Sequence, residues 1–184
     1  MRHVRPAGIE PKPAKRSHIL LAYAVAGLVV AIDSATKRWA ASALRDESHT
    51  VIPGLLTFRL TENPGAAFSM FQNAGPFLGI AAVIAVGLIG ASLARPRPLY
   101  EVVGFGMIMG GALGNLVDRI ARGEGFLDGH VIDWVQLPNF PTFNVADSSI
   151  SLAVALLIIG SWRAGSEGRS KSRTERPAAY DGKA

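Results

Sequence analysis

The 184-residue sequence contains no cysteine. That absence excludes a disulfide framework, a thiol nucleophile and metal sites built from thiolates. Charged residues are also scarce, at 18% of the chain, whereas 49% of the residues are apolar. Soluble domains of this length are seldom so poor in charge, so the composition favours a single domain embedded in a membrane.

Long apolar stretches follow one another along the chain. Four of them are long enough to cross a bilayer as helices, and they cover roughly residues 18–39, 74–94, 99–117 and 145–162. The first is the weakest, because Asp33, Lys37 and Arg38 interrupt its second half. A cleaved secretory signal is the alternative for this span, since Ala41-Ser42-Ala43 resembles a cleavage site. The charged residues make a poor approach to such a site, so we predict a retained helix.

Basic residues are distributed unevenly around the four spans. Thirteen of the 19 lysines and arginines lie in the two tails or in the loop between the second and third spans. The positive-inside rule therefore predicts that both termini are cytoplasmic and that segments 40–73 and 118–144 face outward. Topology and contact with anionic lipid then account for the pI near 10.0 without any nucleic-acid partner.

The first outer segment has the residue types of β-strands. β-branched and aromatic residues fill 50–52 and 55–61, between the turn sequences Pro53-Gly54 and Asn63-Pro64-Gly65. We therefore predict a small sheet that lies on the outer face of the membrane.

Domain boundaries follow from the spans and the tails. We predict one membrane domain over residues 18–163, flanked by disordered basic tails at 1–17 and 164–184, where proline, glycine, serine and basic residues accumulate. Within the third span, Gly106, Gly110 and Gly114 form a stripe that lets a neighbouring helix approach closely. The stripe by itself does not separate packing inside one bundle from dimerisation.

Polar residues recur at helical spacing near the outer ends of the spans. Asp33 and Lys37 share one helical face, which indicates either an interfacial ion pair or support for an active site. Asn115, Asp118 and Arg119 lie at the outer end of the third span. The favoured interpretation of Asp118 is an ion pair with Arg119, while Asn115 is expected to bond to another helix across the bundle.

Two aspartates lie close together at the start of the last span. Asp133 precedes this span and Asp147 opens it, at a depth where a carboxylate is costly. A helix cap by Asn144 with Asp147 in the first turn is one explanation, but it leaves Asp133 unexplained. Two close carboxylates cannot both ionise, so the ionised one can activate water while the protonated one supports an oxyanion. The pattern favours a membrane aspartic hydrolase.

Two other functions stay open at this point. The first is a metal-dependent hydrolase whose oxygen-rich ligands come from Asp118, Asp128, His130, Asp133 and Asp147. The second is a transporter or an assembly subunit in which intramembrane acids relay protons. No serine lies in a nucleophile-elbow sequence, and the four histidines lack metal-ligand spacing.

Five blocks of sequence, taken in order, closely resemble the bacterial lipoprotein signal peptidase (signal peptidase II) family. They are Asp-Ser-Ala-Thr-Lys at 33–37, Asn-Pro-Gly-Ala-Ala-Phe-Ser at 63–69, Gly-Ala-Leu-Gly-Asn-Leu-Val-Asp-Arg at 111–119, Val-Ile-Asp-Trp at 131–134 and Phe-Asn-Val-Ala-Asp-Ser at 143–148. The likeness covers roughly residues 19–162. Trp134 replaces a more usual phenylalanine, and the stretch 137–142 is shorter than in many relatives.

The resemblance implies a membrane all-α fold of four transmembrane helices with a small extracytoplasmic β-cradle. It implies an aspartic endopeptidase that removes the signal peptide of a prolipoprotein just before its diacylglyceryl-modified cysteine, with Asp133 and Asp147 as the catalytic dyad. Positions that match substrate-binding or supporting residues are Asp33, Lys37, Asn63, Gly65, Asn115, Arg119 and Asn144. The implied partners are lipid-modified prolipoproteins and membrane lipid, without metal or cofactor, and the implied location is the bacterial inner membrane with the site at its outer face.

Overall fold

The computed structural model of the chain describes residues 15–65 and 74–174. Its helices are α1 (Arg16–Ala43), α2 (Gly75–Ser92), α3 (Leu99–Ala121) and α4 (Val145–Thr174), and its strands are β1 (His49–Ile52), β2 (Leu56–Asn63) and β3 (Val131–Gln136). Each of the four helices is long and apolar enough to cross a membrane, which confirms the four predicted spans. Residues 66–69 of the second sequence block and residues 1–14 of the first tail lie outside the described ranges.

Helix α3 occupies the centre of the bundle and packs against the other three helices. Its glycine stripe faces α1 over part of its length: a Cβ on Gly106 would lie 2.6 Å from the carbonyl oxygen of Ala22, and one on Gly110 would lie 2.6 Å from Cβ of Val29. Only a residue without a side chain permits so close an approach of two helices. The stripe therefore serves packing within the bundle.

The outward faces of the helices are apolar. Leu28 on α1, Leu88 on α2 and Ile158 on α4 are each more than 60% exposed in the isolated chain. Apolar surface of this extent on helices that satisfy their own backbone hydrogen bonds is typical of contact with lipid. The arrangement is that of a multi-pass membrane protein.

Helix α4 continues past the predicted boundary of the membrane domain at residue 163. Its backbone stays helical as far as Thr174, where a disordered tail was predicted from residue 164. No proline occurs between Val145 and Pro177, so no residue of that stretch lacks a backbone N–H or forces the helix to end. The part of the helix that is apolar enough to span a membrane ends at Ser166.

The three strands form one antiparallel sheet in the order β1-β2-β3. The predicted hairpin is present, and Gly54 occupies its turn with a positive φ of 73°. The third strand, β3, was not predicted; it pairs with β2 so that Asp133 lies opposite Thr61. The rings of Trp39, Phe58 and Trp134 contact one another edge to face, with centroids 5.1–5.8 Å apart. This aromatic contact joins the sheet to the C-terminal end of α1.

Candidate active site

Asp133 lies on β3 and is almost completely buried, at 2% exposure. The side-chain amide of Asn63, at the end of β2, donates to its Oδ2 at 3.0 Å. The side-chain amide of Asn144 donates to its Oδ1 at 2.7 Å. Both carboxylate oxygens are therefore held by uncharged donors from two different parts of the chain.

Asp147 lies in the first turn of α4, where it forms a reciprocal cap with Asn144. The backbone N–H of Asp147 donates to Oδ1 of Asn144 at 2.9 Å, and the backbone N–H of Asn144 donates to Oδ2 of Asp147 at 3.2 Å. Such a cap satisfies backbone donors that the helix start would otherwise leave free. The cap expected from the sequence is thus present. It holds the Asp147 carboxylate in place and is compatible with a role for Asp147 in the site.

Asn115 connects α3 to Asp147, as the sequence predicted for an amide so near the apolar run. Its Nδ2 donates to Oδ1 of Asp147 at 2.8 Å. Its Oδ1 accepts from Nδ2 of Asn144 at 3.1 Å and from the ammonium of Lys37 at 2.9 Å. Because the oxygen faces two donors, the amide is oriented with its N–H groups toward the Asp147 carboxylate.

The two aspartates share Asn144 as a neighbour, and this proximity affects their acidity. Burial, and after it the negative charge of Asp147, raise the pKa of Asp133 to about 7, although the hydrogen bonds from Asn63 and Asn144 and the charge of Lys37 act in the opposite direction. Desolvation and a like charge both disfavour ionisation of a carboxyl group. The site can therefore hold one proton on Asp133 near neutral pH.

Lys37 lies at the centre of a buried charge cluster in the C-terminal half of α1. Its Nζ is 2.7 Å from Oδ2 of Asp33 and 2.9 Å from Oδ2 of Asp118. All three side chains are nearly inaccessible, with residue exposures of 0% for Asp33, 1% for Lys37 and 4% for Asp118. The predicted ion pair of Asp33 and Lys37 is therefore present, but it is buried, and Lys37 also contacts Asn115. A role of this pair in supporting an active site stays a prediction.

The predicted ion pair between Asp118 and Arg119 is wrong. Oδ1 of Asp118 accepts from Nε of Arg122 at 2.7 Å, one helical turn further along α3. Arg119 instead donates from Nη2 to the carbonyl oxygen of Gly65 at 3.1 Å. Adjacent residues on a helix point about 100° apart, whereas residues four apart share a face. The helical periodicity thus explains which partner Asp118 has.

Arg119 and Gly65 hold the loop that carries Asn63. The N–H of Gly65 donates to Oδ1 of Asn63 at 3.0 Å, which leaves the amide of Asn63 free to donate to Asp133. Arg119 is only 6% exposed, and within residues 15–65 and 74–174 its Nη1 has no hydrogen-bond partner. A buried guanidinium nitrogen of this kind can serve a carbonyl oxygen of a substrate.

The structure separates the residues proposed as metal ligands. Asp118 is bound to Lys37 and Arg122, Asp128 accepts from the N–H of Gly125, and Nδ1 of His130 lies 3.6 Å from Glu62. Over the described part of the chain, no three His, Asp or Glu side chains are grouped closely enough to hold a metal ion. The five residues therefore do not form the ligand set that a metal-dependent hydrolase would need.

A family model described as signal peptidase (SPase) II matches residues 25–163. The chain belongs to the signal peptidase II family. It is 40% identical to lipoprotein signal peptidases from Rhodococcus jostii, over 81% of this chain and 76% of the relative, and from Gloeobacter violaceus, over 82% of this chain and 83% of the relative. As a signal peptidase II, it is an aspartic protease with a multi-pass membrane fold.

Solved structures of bacterial membrane enzymes share this architecture. One is 27% identical and superposes with a TM-score of 0.70, covering 94% of this chain and 99% of the other. A second is 29% identical with a TM-score of 0.67, covering 81% of this chain and 95% of the other. The overall fold of this chain therefore recurs in experimentally determined bacterial membrane enzymes.

Proposed function

We propose that this peptidase removes the signal peptide of prolipoproteins by cutting just before a diacylglyceryl-modified cysteine, with Asp133 and Asp147 acting together on a water molecule. One observation carries the proposal: Asn144 bonds to both carboxylates, through its side chain to Asp133 and through its backbone to Asp147. The curated relatives in the family are named lipoprotein signal peptidases, which supports the substrate class.

The surroundings of the two carboxylates suggest different roles for them. Both oxygens of Asp147 accept N–H groups, from Asn115 and from the backbone of Asn144, and the positive end of the α4 dipole lies beside it. These contacts suit an ionised base that takes a proton from water. Asp133, with its pKa raised to about 7 by burial and by Asp147, suits the acid that donates a hydrogen bond to the scissile carbonyl oxygen.

The reaction then balances without any added group. Water loses a proton to Asp147 and its oxygen bonds to the scissile carbonyl carbon, while Asp133 stabilises the developing oxyanion. The carbon–nitrogen bond breaks, and the leaving amine takes the proton that Asp147 received. Arg119, through Nη1, is the candidate donor to a second substrate carbonyl, beside the loop that holds Asn63.

The depth of the dyad suits a substrate anchored by lipid. Asp147 opens α4 and Asp133 lies on the sheet that packs on the outer end of α1, so both carboxylates lie at one end of the bundle. The distribution of basic residues supports placing that end at the outer face of the bacterial inner membrane, with both termini in the cytoplasm. A lipid-modified cysteine would present its peptide bond at this boundary.

The test is cleavage of a purified prolipoprotein in detergent, with and without its diacylglyceryl group. We expect the wild type to cut the lipidated form only, and Asp133→Asn and Asp147→Asn to lose about 100- to 10,000-fold in kcat. Asp46→Asn is the matched control, since Asp46 is exposed on the outer side between α1 and β1.

The outcomes separate the parts of the proposal. Full activity in either dyad variant overturns the mechanism, and equal cleavage of the unlipidated substrate overturns the specificity. Mass spectrometry of the products locates the cut, and any bond other than the one before the modified cysteine contradicts the proposed cleavage site. A well-folded wild type that cuts neither form refutes the function itself.

A further inference from the structure

Two backbone amides beside the dyad donate to buried carboxylates in the same way. Ala146, which directly precedes Asp147, donates its N–H to Oδ1 of Asp33 at 2.9 Å. Ile132, which directly precedes Asp133, donates its N–H to Oδ2 of Asp118 at 3.2 Å. Each aspartate of the dyad therefore follows a residue that is bonded to another aspartate on a different helix.

Lys37 joins the two accepting carboxylates. Its Nζ contacts Oδ2 of Asp33 and Oδ2 of Asp118, and its third contact is Oδ1 of Asn115. The ammonium group therefore lies against three oxygen atoms, two of which belong to carboxylates. One buried cation thus connects α1 and α3 with the backbone on both sides of the dyad.

We infer that Asp33, Lys37 and Asp118, here called the Lys37 cluster, position both aspartates of the dyad by holding the backbone immediately before each of them. The inference rests on the proposed function, since it assumes that Asp133 and Asp147 act together. It assigns the three residues a positioning role, because the structure gives them no contact with either dyad carboxylate.

The fold makes room for this cluster. A Cβ on Gly114 would lie 2.6 Å from Oδ2 of Asp33, so α3 lacks a side chain where the Asp33 carboxylate approaches. The described chain leaves the cluster at most 4% exposed, so bulk water competes little for its hydrogen bonds. The bonds from the N–H groups of Ile132 and Ala146 to the cluster are therefore well shielded.

Stability by itself is a weak reason to bury these three charges. Replacing a buried ion pair or triad with apolar residues of similar size is often neutral or stabilising, because the charges lose their hydration. A positioning role gives the charges a different purpose, since a shift of about 1 Å at a reacting group can cost about 100-fold in rate. Because the Lys37 cluster holds the backbone before both Asp133 and Asp147, its loss should increase the distance between the two carboxylates.

The charges around Asp133 make its ionisation a useful readout. The charged groups that act on it are Asp147 on α4, Arg119 on α3 and Lys37 on α1. Lys37 is itself paired with Asp33 and Asp118, while the neutral amides of Asn63 and Asn144 donate to Asp133. The Lys37 charge lowers the pKa of Asp133. Removing that charge should therefore move the alkaline limb of the activity profile to higher pH.

The first test is Lys37→Met, which keeps the length of the side chain and removes its charge. With a lipidated prolipoprotein as substrate, we expect kcat per folded molecule to fall about 100-fold while KM changes little. We also expect the alkaline limb of the pH profile to move upward. A merely structural residue would lower the melting temperature and leave both kinetic readouts where they are in the wild type.

The second test compares Asp118→Asn with Asp118→Ala. Asparagine keeps an oxygen that accepts from the N–H of Ile132, and the partly exposed Arg122 can turn away from the new amide. We expect Asp118→Asn to retain most of the activity that Asp118→Ala loses. Glu101→Gln is the control, because it breaks an ion pair of the same i, i+4 spacing with no contact to the site.

The results distinguish this inference from the proposed function. If Lys37→Met folds and keeps the kcat and the pH profile of the wild type, the positioning role is overturned while the dyad stands. If Lys37→Met fails to fold, the comparison of Asp118→Asn with Asp118→Ala tests the inference instead. Equal activity of these two variants overturns it. If Asp133→Asn and Asp147→Asn in the same assay stay active, the proposed mechanism itself fails.

Discussion

Two ion pairs with the same sequence spacing lie in contrasting parts of this molecule. Asp33 and Lys37 are four residues apart on α1, with 2.7 Å between Oδ2 and Nζ, and their side chains are 0% and 2% exposed. Arg97 and Glu101 are also four residues apart, near the start of α3, with 2.9 Å between Nη1 and Oε2, but their side chains are 28% and 22% exposed. Spacing and distance alone do not tell them apart.

The difference lies in what each pair contacts. Arg97 also donates to Ser92 and lies over the ring of Phe105, so its contacts stay within the α2–α3 turn and the neighbouring helix. Lys37 reaches Asn115 and Asp118 on another helix, and through them the backbone next to the dyad. Burial together with long-range contacts therefore indicates a functional ion pair better than the i, i+4 pattern does.

The contrast between the two ion pairs is tested most directly by removing one charge from each pair. Lys37→Met leaves Asp33 buried without a counterion and Asp118 with Arg122 alone, so we expect a loss of roughly 3–5 kcal/mol in the free energy of unfolding. Glu101→Gln, at a partly exposed pair, should cost only about 0.3–0.5 kcal/mol. Denaturant unfolding in detergent micelles measures both, and equal losses would contradict the contrast between the two regions.

Two glycines differ in a similar way, since one is tightly packed against another helix and the other is not. Gly110 faces α1, where a Cβ would lie 2.6 Å from Cβ of Val29, while Gly87 on α2 has nothing within 4 Å of such a Cβ. Gly110→Ala should therefore destabilise the bundle by about 1–3 kcal/mol through overpacking. Gly87→Ala should be neutral or stabilising by up to about 1 kcal/mol, through helix propensity. Melting temperatures of the two variants check this, and a stabilised Gly110→Ala would refute the close α1–α3 contact.

The pH dependence of activity is a further test of the site. Since burial and Asp147 raise the pKa of Asp133 to about 7, the protonated form of Asp133 is held below that pH and lost above it. If the protonated form is required, kcat/KM should fall about tenfold for each pH unit above 7.

The same pKa has a consequence for stability. A carboxyl group whose pKa is raised on folding stabilises the folded state when protonated, and this contribution declines as the pH rises from about 4 to about 7. The wild type should therefore lose stability relative to Asp133→Asn over that range. A parallel pH dependence of the two proteins would show that Asp133 ionises as freely in the folded chain as in the unfolded one.

Hydrophobic runs were enough to predict the membrane helices, because each span depends on a long local average rather than on any single contact. The hairpin β1–β2 was predictable for a similar reason, from strand residues bounded by Pro53-Gly54. Strand β3 escaped prediction, since Val131–Gln136 carries a buried aspartate and pairs with a strand about 70 residues earlier. Its burial does not alternate along the strand, so the segment shows no period of two to detect.

The contacts of the candidate site were likewise predictable only in part. The capping arrangement of Asn144 with Asp147 and the cross-bundle bond of Asn115 were predictable from spacing and from the cost of a polar group near lipid. The true partners of Asp118 were not predicted, although the sequence contains the hint: Arg122, and not Arg119, lies one turn away on the same face. The contacts of Asp118 with Lys37 and with the N–H of Ile132 depend on how α1, α3 and β3 meet, which only the folded chain reveals.

The first turn of α4 has one further consequence. Asn144 and Asp147 cap the helix with the same atoms that hold a dyad carboxylate, and the N–H of Ser148 closes the turn by donating to the carbonyl oxygen of Asn144 at 3.1 Å. When this turn frays, Asp147 must leave its place at the same moment. Hydrogen exchange at the Ser148 amide would then report the fraction of time during which the proposed dyad is disassembled.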